Sequence, residues 1–336
     1  MSPAVSVIIP ARNEEDCLGR CLESLVGQAE IAFEIIVVDD RSKDRTRDIA
    51  QSFAGVRVVE ADALPAGWTG KCNALVCGAR GAQGAWLLFT DADTVHKPGS
   101  LARALQEAQE RRVALLSYSP EQEVHSLLEK AVMPVIFAEL AARYRPEDVS
   151  DPASSAAAAN GQYLLISREA YDAVGGHAAV AGSLLEDVEL ARLVKQSGRP
   201  IFFRLGGDQV RTRMYRGGQQ LVEGWTKNLA LLFRKPVRLA TLRAAEFLGI
   251  AGIGVLAAVA TLHSNRGLAW SMAIVFVLLV IRLVRRIRLA HFAWDSTLLA
   301  VFGLPIFSYL LLRSVISYRR GKVAWKGRNY AGSAAS

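Results

Sequence analysis

Cysteine is scarce in this chain of 336 residues: only Cys17, Cys21, Cys72 and Cys77 occur. Cys17 and Cys21 share a helix face and Cys72 and Cys77 stand close together, but neither pair has the two-residue gap of a zinc site, and no histidine stands nearby. They read as reduced, partly buried thiols of a domain facing the cytosol. The first residues run straight into a strand, so no secretory leader is expected. No internal repeat is visible. The glycine-rich loop followed by basic residues that opens a nucleotidyltransferase is missing too; Pro10-Ala11-Arg12-Asn13-Glu14 stands in its place.

What is abundant is apolar sequence, unevenly placed. Hydrophobic residues make up 51% and the mean hydropathy is +0.20, high for a wholly soluble protein. Residues 1–240 look like an ordinary soluble domain, whereas 241–318 is dominated by the apolar segments Phe247–Leu262, Leu268–Ile281 and Leu298–Ile316. Each is near the minimum for crossing a bilayer, about 20 residues with its flanks. The loop His263-Ser264-Asn265-Arg266-Gly267 makes the first two a hairpin. The net charge is +8. Many cations flank apolar segments: Arg282, Arg285, Arg286 and Arg288, then Arg319, Arg320, Lys322, Lys326 and Arg328. That placement favours a membrane surface and argues against nucleic acid. A third full crossing would put the basic tail, 319–336, on the side the positive-inside tendency disfavours; Pro305 in mid-segment suggests re-entry instead.

Strand and helix patterns alternate through the first part. Val5–Pro10, Glu34–Val38, Val56–Val59 and Trp86–Thr90 read as strands; helical spacing covers 14–28, 44–53 and 71–82. This order predicts an α/β fold with a mostly parallel sheet. A helix to about Arg111, a strand Val113–Tyr118, an apolar-rich helix Leu127–Arg143, a strand Tyr163–Ile166 and a helix ending at Gln196 follow. Glu129, Lys130 and Glu139 make 127–143 too charged to span; it is interfacial or core.

Acidic clusters end the strands. Strand one runs into Arg12-Asn13-Glu14, strand two into Asp39-Asp40-Arg41-Ser42 and strand four into Asp91-Ala92-Asp93, while Glu186-Asp187 opens a later helix. In a parallel sheet the first three share one rim, where open α/β sheets bind ligands. Two carboxylates one residue apart repel each other and favour a cation between them and a diphosphate.

In these motifs the chain resembles the family 2 glycosyltransferases, the inverting enzymes of GT-A fold, over about residues 4–235. Leu64–Lys71, Phe89–His96, Met214-Tyr215, Glu223–Asn228 and Trp325-Lys326-Gly327-Arg328 narrow the resemblance to a membrane-bound branch that glycosylates carotenoids, related to hopanoid-associated and ceramide glucosyltransferases. The resemblance implies a GT-A nucleotide-diphospho-sugar transferase fold, Rossmann-like, with a nucleotide-sugar half over 1–118 and an acceptor half over 119–240, followed by C-terminal transmembrane helices. Pro10, Ala11, Arg12, Glu14, Asp39 and Asp40 would hold base and ribose. Lys71 would approach the diphosphate, Asp91 ribose or metal, and Asp93 a Mg²⁺ or Mn²⁺ ion. Asn160 and Gly161 would line the sugar site, Asp187 would act as base and Glu186 would support the acceptor pocket. Trp225 and Arg213 would meet the acceptor, with an interfacial anchor the equal alternative for Trp225.

The implied reaction moves a single hexose, glucose first, from a UDP-sugar to a membrane lipid, a carotenoid or other isoprenoid. The enzyme would be an integral protein of the cell membrane with its catalytic domain facing the cytoplasm. Polyprenyl-phosphate sugar synthesis and ceramide-type glucosylation are the alternatives within the class; a non-catalytic membrane protein keeping the fold is the alternative outside it. Processive relatives carry Gln-x-x-Arg-Trp; here Leu221-Val222-Glu223-Gly224-Trp225 keeps only the tryptophan, which favours single transfer.

Overall fold

The computed structural model describes residues 3–325 and 328–330. The Trp325-Lys326-Gly327-Arg328 motif and the end of the 319–336 tail fall in part outside the described residues. The chain forms two compact units, one from residues up to Glu123 and Tyr144–Met214, the other from Val124–Arg143 and Tyr215 onward.

In the first unit the strands are β1 (Val5–Ala11), β2 (Phe33–Asp39), β3 (Val56–Glu60), β4 (Trp86–Phe89), β5 (Thr94–His96), β6 (Leu115–Ser119), β7 (Glu121–Gln122), β8 (Leu164–Ser167), β9 (Ile201–Leu205) and β10 (Val210–Thr212). Seven described strands form one sheet in the order β3-β2-β1-β4-β8-β6-β9. All neighbours are parallel except β8, which runs antiparallel to both β4 and β6. The central strands are apolar on both faces because helices cover both sides. One layer packs Leu18, Leu22 and Leu25 of helix Leu18–Val26 with Val7 and Ile9. The other packs Ala74, Leu75 and Ala79 of helix Gly70–Gly81 with Ile8 and Ile36.

Pro10 does not stop β1, which continues to Ala11 paired with Asp39. The reason lies in the ladder. Ile8 faces β4, taking a bond from Thr90 N, and Ala11 faces β2, taking one from Asp40 N. Pro10 therefore faces the β4 side, and β4 pairs with β1 only as far as Ile8, so the missing N–H breaks no ladder bond. Strands β5, β10 and β7 form a second, small sheet. It backs the Asp91–Asp93 loop, with Thr212 of β10 opposite Thr94 of β5.

The second unit holds the helices Leu127–Arg143, Gly218–Leu232, Pro236–Leu262, Arg266–Ile287 and Trp294–Arg319. Compactness thus groups 127–143 and 218–232 with the apolar helices. Leu127–Arg143 buries nine of its residues, including Glu129 and Glu139. Gly303 explains one contact: a Cβ there would lie 1.9 Å from the Ala131 carbonyl oxygen, so only glycine lets Trp294–Arg319 approach this closely. Three described helices are long and apolar enough to cross a membrane: Pro236–Leu262, Arg266–Ala290 and Trp294–Arg319.

Candidate active site

The site lies in the first unit, where β1, β2 and β4 end on one rim. Two of its loops carry side chains in left-handed backbone, Asn13 (φ 53°) and Arg41 (φ 55°). This conformation costs a non-glycine residue energy and persists where the surroundings enforce it. Here they do. Asn13 N–H donates to Ser42 Oγ (3.1 Å), Lys43 N–H to Asn13 Oδ1 (2.9 Å) and Glu14 N–H to Thr46 Oγ1 (2.7 Å). Arg12 Nη1 donates to the Asp40 carbonyl (2.7 Å), and Asp39 Oδ1 accepts from Ser42 N–H (3.2 Å). The two loops are therefore one rigid piece, with Asp39 and Asp40 buried in it. Asp44 serves the fold: it accepts from the Thr46 hydroxyl (2.5 Å) and from Thr46 N–H and Glu15 N–H (both 3.1 Å). Burial works against its charge, but these bonds hold its carboxyl below the ordinary value.

Beside this piece stands a cluster of four charges. Lys71, in the first turn of helix Gly70–Gly81, places Nζ 2.8 Å from Asp91 Oδ1 and 2.8 Å from Glu186 Oε1. Thr69 caps that helix by accepting from Cys72 N–H (3.1 Å), which fixes where Lys71 starts. Burial alone would lower the lysine pKa, yet Asp91, Glu186 and Asp187 together hold it well above its ordinary value.

Glu186 and Asp187 open helix Glu186–Gln196, where negative charge suits the dipole. Asp187 Oδ1 accepts from Val188 N–H and Oδ2 from Gly161 N–H, both at 2.8 Å. Burial first, then the neighbouring Glu186 charge, raises its pKa to about 6, against the opposing pull of Lys71. Gly161 is the wall of this cluster: a Cβ there would stand 3.0 Å from Lys71 Nζ, 3.5 Å from Asp187 Oδ2 and 3.6 Å from Glu186 Oε1. Asn160 braces the turn by accepting from Gln162 N–H through Oδ1 (2.9 Å).

The structure thus brings Lys71, Asp91, Gly161, Glu186 and Asp187 together, and ties Arg12 to Asp40 in the adjoining loops. Pro10 and Ala11 lead into those loops, and Glu14 lies in the first of them. Asp93 sits half-buried two residues beyond Asp91; the Thr212 hydroxyl donates to its carbonyl (3.2 Å). Arg213 directly follows Thr212, and its Nε is buried with no hydrogen-bond partner among the described residues. Trp225 belongs to the second unit. Its ring is 2% exposed, its N–H donates to Met133 Sδ (3.3 Å), and Phe137 and Tyr215 pack edge-on against it. It is core there, with no face open to stack on a ligand.

Sequence reasoning missed the residues beneath the acidic loop. Thr90 Oγ1 donates to the Gln162 carbonyl (2.8 Å) and meets His96 Nε2 (3.2 Å), while Gln162 Nε2 donates to Thr212 Oγ1 (3.2 Å). Burial lowers His96 to a pKa of about 3, so it is neutral. Only the adjacency of Gln162 to Asn160-Gly161 could have pointed to this support. The cysteines are all free, and Cys21, Cys72 and Cys77 are buried. Burial, then the Glu186 charge, pushes the Cys72 thiol up to about 12.

Among the described residues no three His, Cys, Asp or Glu side chains converge as a ready ligand set. The donor chemistry of the rim, two carboxylates at Asp91 and Asp93, fits a hard divalent cation that takes its remaining ligands from phosphate oxygens and water.

A family model described as "Glycosyl transferase family 2" matches residues 6–173. The chain is 28% identical over 340 residues to a 4,4'-diaponeurosporenoate glycosyltransferase of Staphylococcus aureus (strain MRSA252), covering 98% of this chain and 88% of that relative. A protein of the same name from strain USA300 is 29% identical over 232 residues, which is 68% of this chain and 61% of the relative, less than two thirds of its length. Among solved structures, a mannosyltransferase from Pyrobaculum calidifontis in complex with GDP-Man and Mn²⁺ superposes with a TM-score of 0.55, covering 94% of this chain and 87% of that one at 18% identity. That likeness bears on the fold alone.

Proposed function

The chain belongs to glycosyl transferase family 2 and is a glycosyltransferase, and from that premise we propose that it moves a single hexose from a UDP-sugar to a membrane lipid of isoprenoid type, inverting the anomeric centre. One observation carries this reading: Lys71 is held between Asp91 and Glu186 at 2.8 Å each, with Asp187 on the same cluster, at the rim where the parallel strands end. A nucleoside diphosphate needs a positive charge beside its leaving oxygen, and a hydroxyl acceptor needs a base; this cluster holds both.

Arg12 and the Asp39-Asp40 loop receive base and ribose. Lys71 turns its ammonium to the diphosphate and offsets the charge that develops as the glycosidic bond breaks. Asp91 and Asp93 would hold Mg²⁺ or Mn²⁺, whose Lewis acidity adds to that stabilisation. Gly161 leaves the sugar room beside Asp187. Asp187 takes the acceptor's proton as its oxygen attacks the anomeric carbon, and a base titrating near 6 is well matched to neutral pH. Glu186 keeps Asp187 basic through its charge. The apolar helices support membrane residence, with the catalytic unit on the cytoplasmic side where the basic flanks belong.

The acceptor class rests on the named relatives and on the apolar helices. A second reading, a polyprenyl-phosphate acceptor, is favoured by Arg213, whose buried Nε lacks a hydrogen-bond partner among the described residues and suits a phosphate oxygen.

The test is UDP release by the detergent-solubilised protein with UDP-glucose, UDP-galactose or UDP-N-acetylglucosamine, with Mn²⁺ or EDTA, with carotenoid-containing lipid, with polyprenyl phosphate or with neither, and with Asp93→Ala as control. Release that needs lipid and metal and disappears in the control supports the reading. Release only with polyprenyl phosphate supports the second. No release with any donor or acceptor counts against both.

A further inference from the structure

The three apolar helices of the second unit are not equivalent. Pro236–Leu262 and Arg266–Ala290 are 11% and 6% buried over their most apolar stretches, but Trp294–Arg319 is 44% buried. The first two form a hairpin whose base is closed by an ion pair, Arg286 Nη2 lying 2.8 Å from Glu246 Oε2, and Arg243 Nε of the first helix, 2.7 Å from Glu139 Oε1, ties that base to helix Leu127–Arg143. Glu246 and Arg286 therefore lie at one depth, and the chain returns after the hairpin to the side it left. Trp270 near the hairpin tip and Trp294 beyond its base, 71% and 60% exposed, are placed as interfacial anchors.

From that base the third helix is fastened at both ends to elements too polar to enter hydrocarbon. At its start, Phe292 packs on Phe137 (6.0 Å) and Asp295 pairs with Lys130 (2.7 Å) of helix Leu127–Arg143. Near its end, Ser314 inserts its hydroxyl into the ladder of helix Gly218–Leu232, accepting from Ala230 N–H (2.9 Å) and donating to the Thr226 carbonyl (2.6 Å). Tyr318 O–H donates to the Lys227 carbonyl (2.7 Å). Helix Gly218–Leu232 carries Gln219, Gln220, Glu223, Lys227 and Asn228, so it cannot cross beside its partner.

The opposite face of the third helix is an apolar stripe. Trp294, Leu298, Phe302, Tyr309, Leu312 and Ile316 are 40–64% exposed; their steps of 4, 4, 7, 3 and 4 residues keep them on one side. Thr297, Ala300, Leu304, Phe307 and Leu311 are buried on the other. Exposed Arg313 borders the stripe, where a cation reaches headgroups with its stem in the apolar layer. Arg319, Arg320 and Lys322 follow, complementary to anionic phosphate.

We infer that Trp294–Arg319 does not cross the bilayer but lies along its surface with this stripe toward the acyl chains, so that Lys235 before the hairpin and Lys322 after the third helix face the same aqueous side. The hairpin alone enters the membrane, and the basic flanks share one side. The inference rests on the membrane residence proposed above.

Its test uses the full chain in native membrane vesicles. Cys17→Ser removes the least buried thiol, and Lys235→Cys, Ser264→Cys and Lys322→Cys are introduced singly. A membrane-impermeant maleimide is applied to inverted and right-side-out vesicles. The expected result is that the cysteines at 235 and 322 are labelled in the same vesicle type. Labelling of 235 and 322 from opposite faces overturns the inference while leaving membrane residence intact. Recovery of the chain in the soluble fraction after a carbonate wash overturns membrane residence itself. As a second measurement, nitroxides at 298, 302, 309 and 312 read depth: equal shallow depths are expected, and a monotonic gradient along the helix overturns the in-plane arrangement.

Discussion

Asp187 makes the sharpest prediction at the scale of single residues. A base whose pKa is raised to about 6 works deprotonated, so kcat/KM should fall as pH drops through about 6 and level off above it; the pH profile checks this. The acceptor modulates the demand. A carboxylic lipid, with a reference pKa of about 4, is already ionised and needs little base help. Asp187→Asn should therefore abolish transfer to a hydroxyl lipid and spare part of the transfer to a carboxylic one, and equal loss with both would contradict the assignment. Gly161→Ala should keep the fold but lower kcat by about 10- to 100-fold, because the added methyl displaces Lys71 or Asp187 and misplacements of this order cost that much. A melting temperature near that of the parent would separate this from unfolding. Much of this site was legible in the sequence, because carboxylates at strand ends and a lysine after Gly67 and Gly70 are local signals. The pairing of Lys71 with both Asp91 and Glu186 was not, since it joins residues 115 positions apart. Trp225 shows the converse: an aromatic in a motif-like stretch fits an interfacial anchor and an acceptor contact equally by sequence, and here it is buried among Met133, Phe137 and Tyr215.

Among the elements, the parallel strands and their helices follow from apolar runs alternating with helical spacing. What escaped are elements too short to carry a period, such as β5 and β10 with three residues each, and the reversed direction of β8, which is a matter of topology. The close packing of Leu127–Arg143 on Trp294–Arg319 was also unreadable, although its cause, Gly303, is a single residue. That contact gives a test of the packing. Gly303→Ala should destabilise the protein in detergent by about 1–3 kcal/mol, the usual cost of overfilling a tight contact, even though alanine favours helix more than glycine does. Thermal unfolding followed by size-exclusion would read it, and a stability gain would show that the helices can separate without loss. Ser314→Ala should act in the same direction, by about 1 kcal/mol or more, because it leaves Ala230 N–H and the Thr226 carbonyl without their bridging hydroxyl.

For the whole molecule, the second unit is organised around charges inside an apolar region. Glu139, Arg243, Glu246 and Arg286 come from three helices, and their side chains are only 7–17% exposed. The sequence marked Glu139 as a reason that 127–143 cannot span, but gave no hint of its partners, which lie about a hundred positions or more downstream. Burying ions costs several kcal/mol each unless the pairing is close. Here it is close: Arg243 grips Glu139 through Nε and Nη2 (2.7 and 3.2 Å), and Arg286 grips Glu246 through Nη1 and Nη2 (3.0 and 2.8 Å). The two signs balance, so removing one member leaves a stranded charge. Arg243→Met should therefore cost about 3–5 kcal/mol, seen as aggregation on extraction and a lower unfolding temperature. Converting the pair together, Glu139→Gln with Arg243→Met, should recover much of the loss, since a neutral amide needs less compensation than a carboxylate. If the single and double variants unfold alike, the cluster does not hold the hairpin base, and the common depth of Glu246 and Arg286 must be set by packing alone. If the double variant recovers, the same pairing that neutralises the charges also fixes where the hairpin leaves the aqueous side.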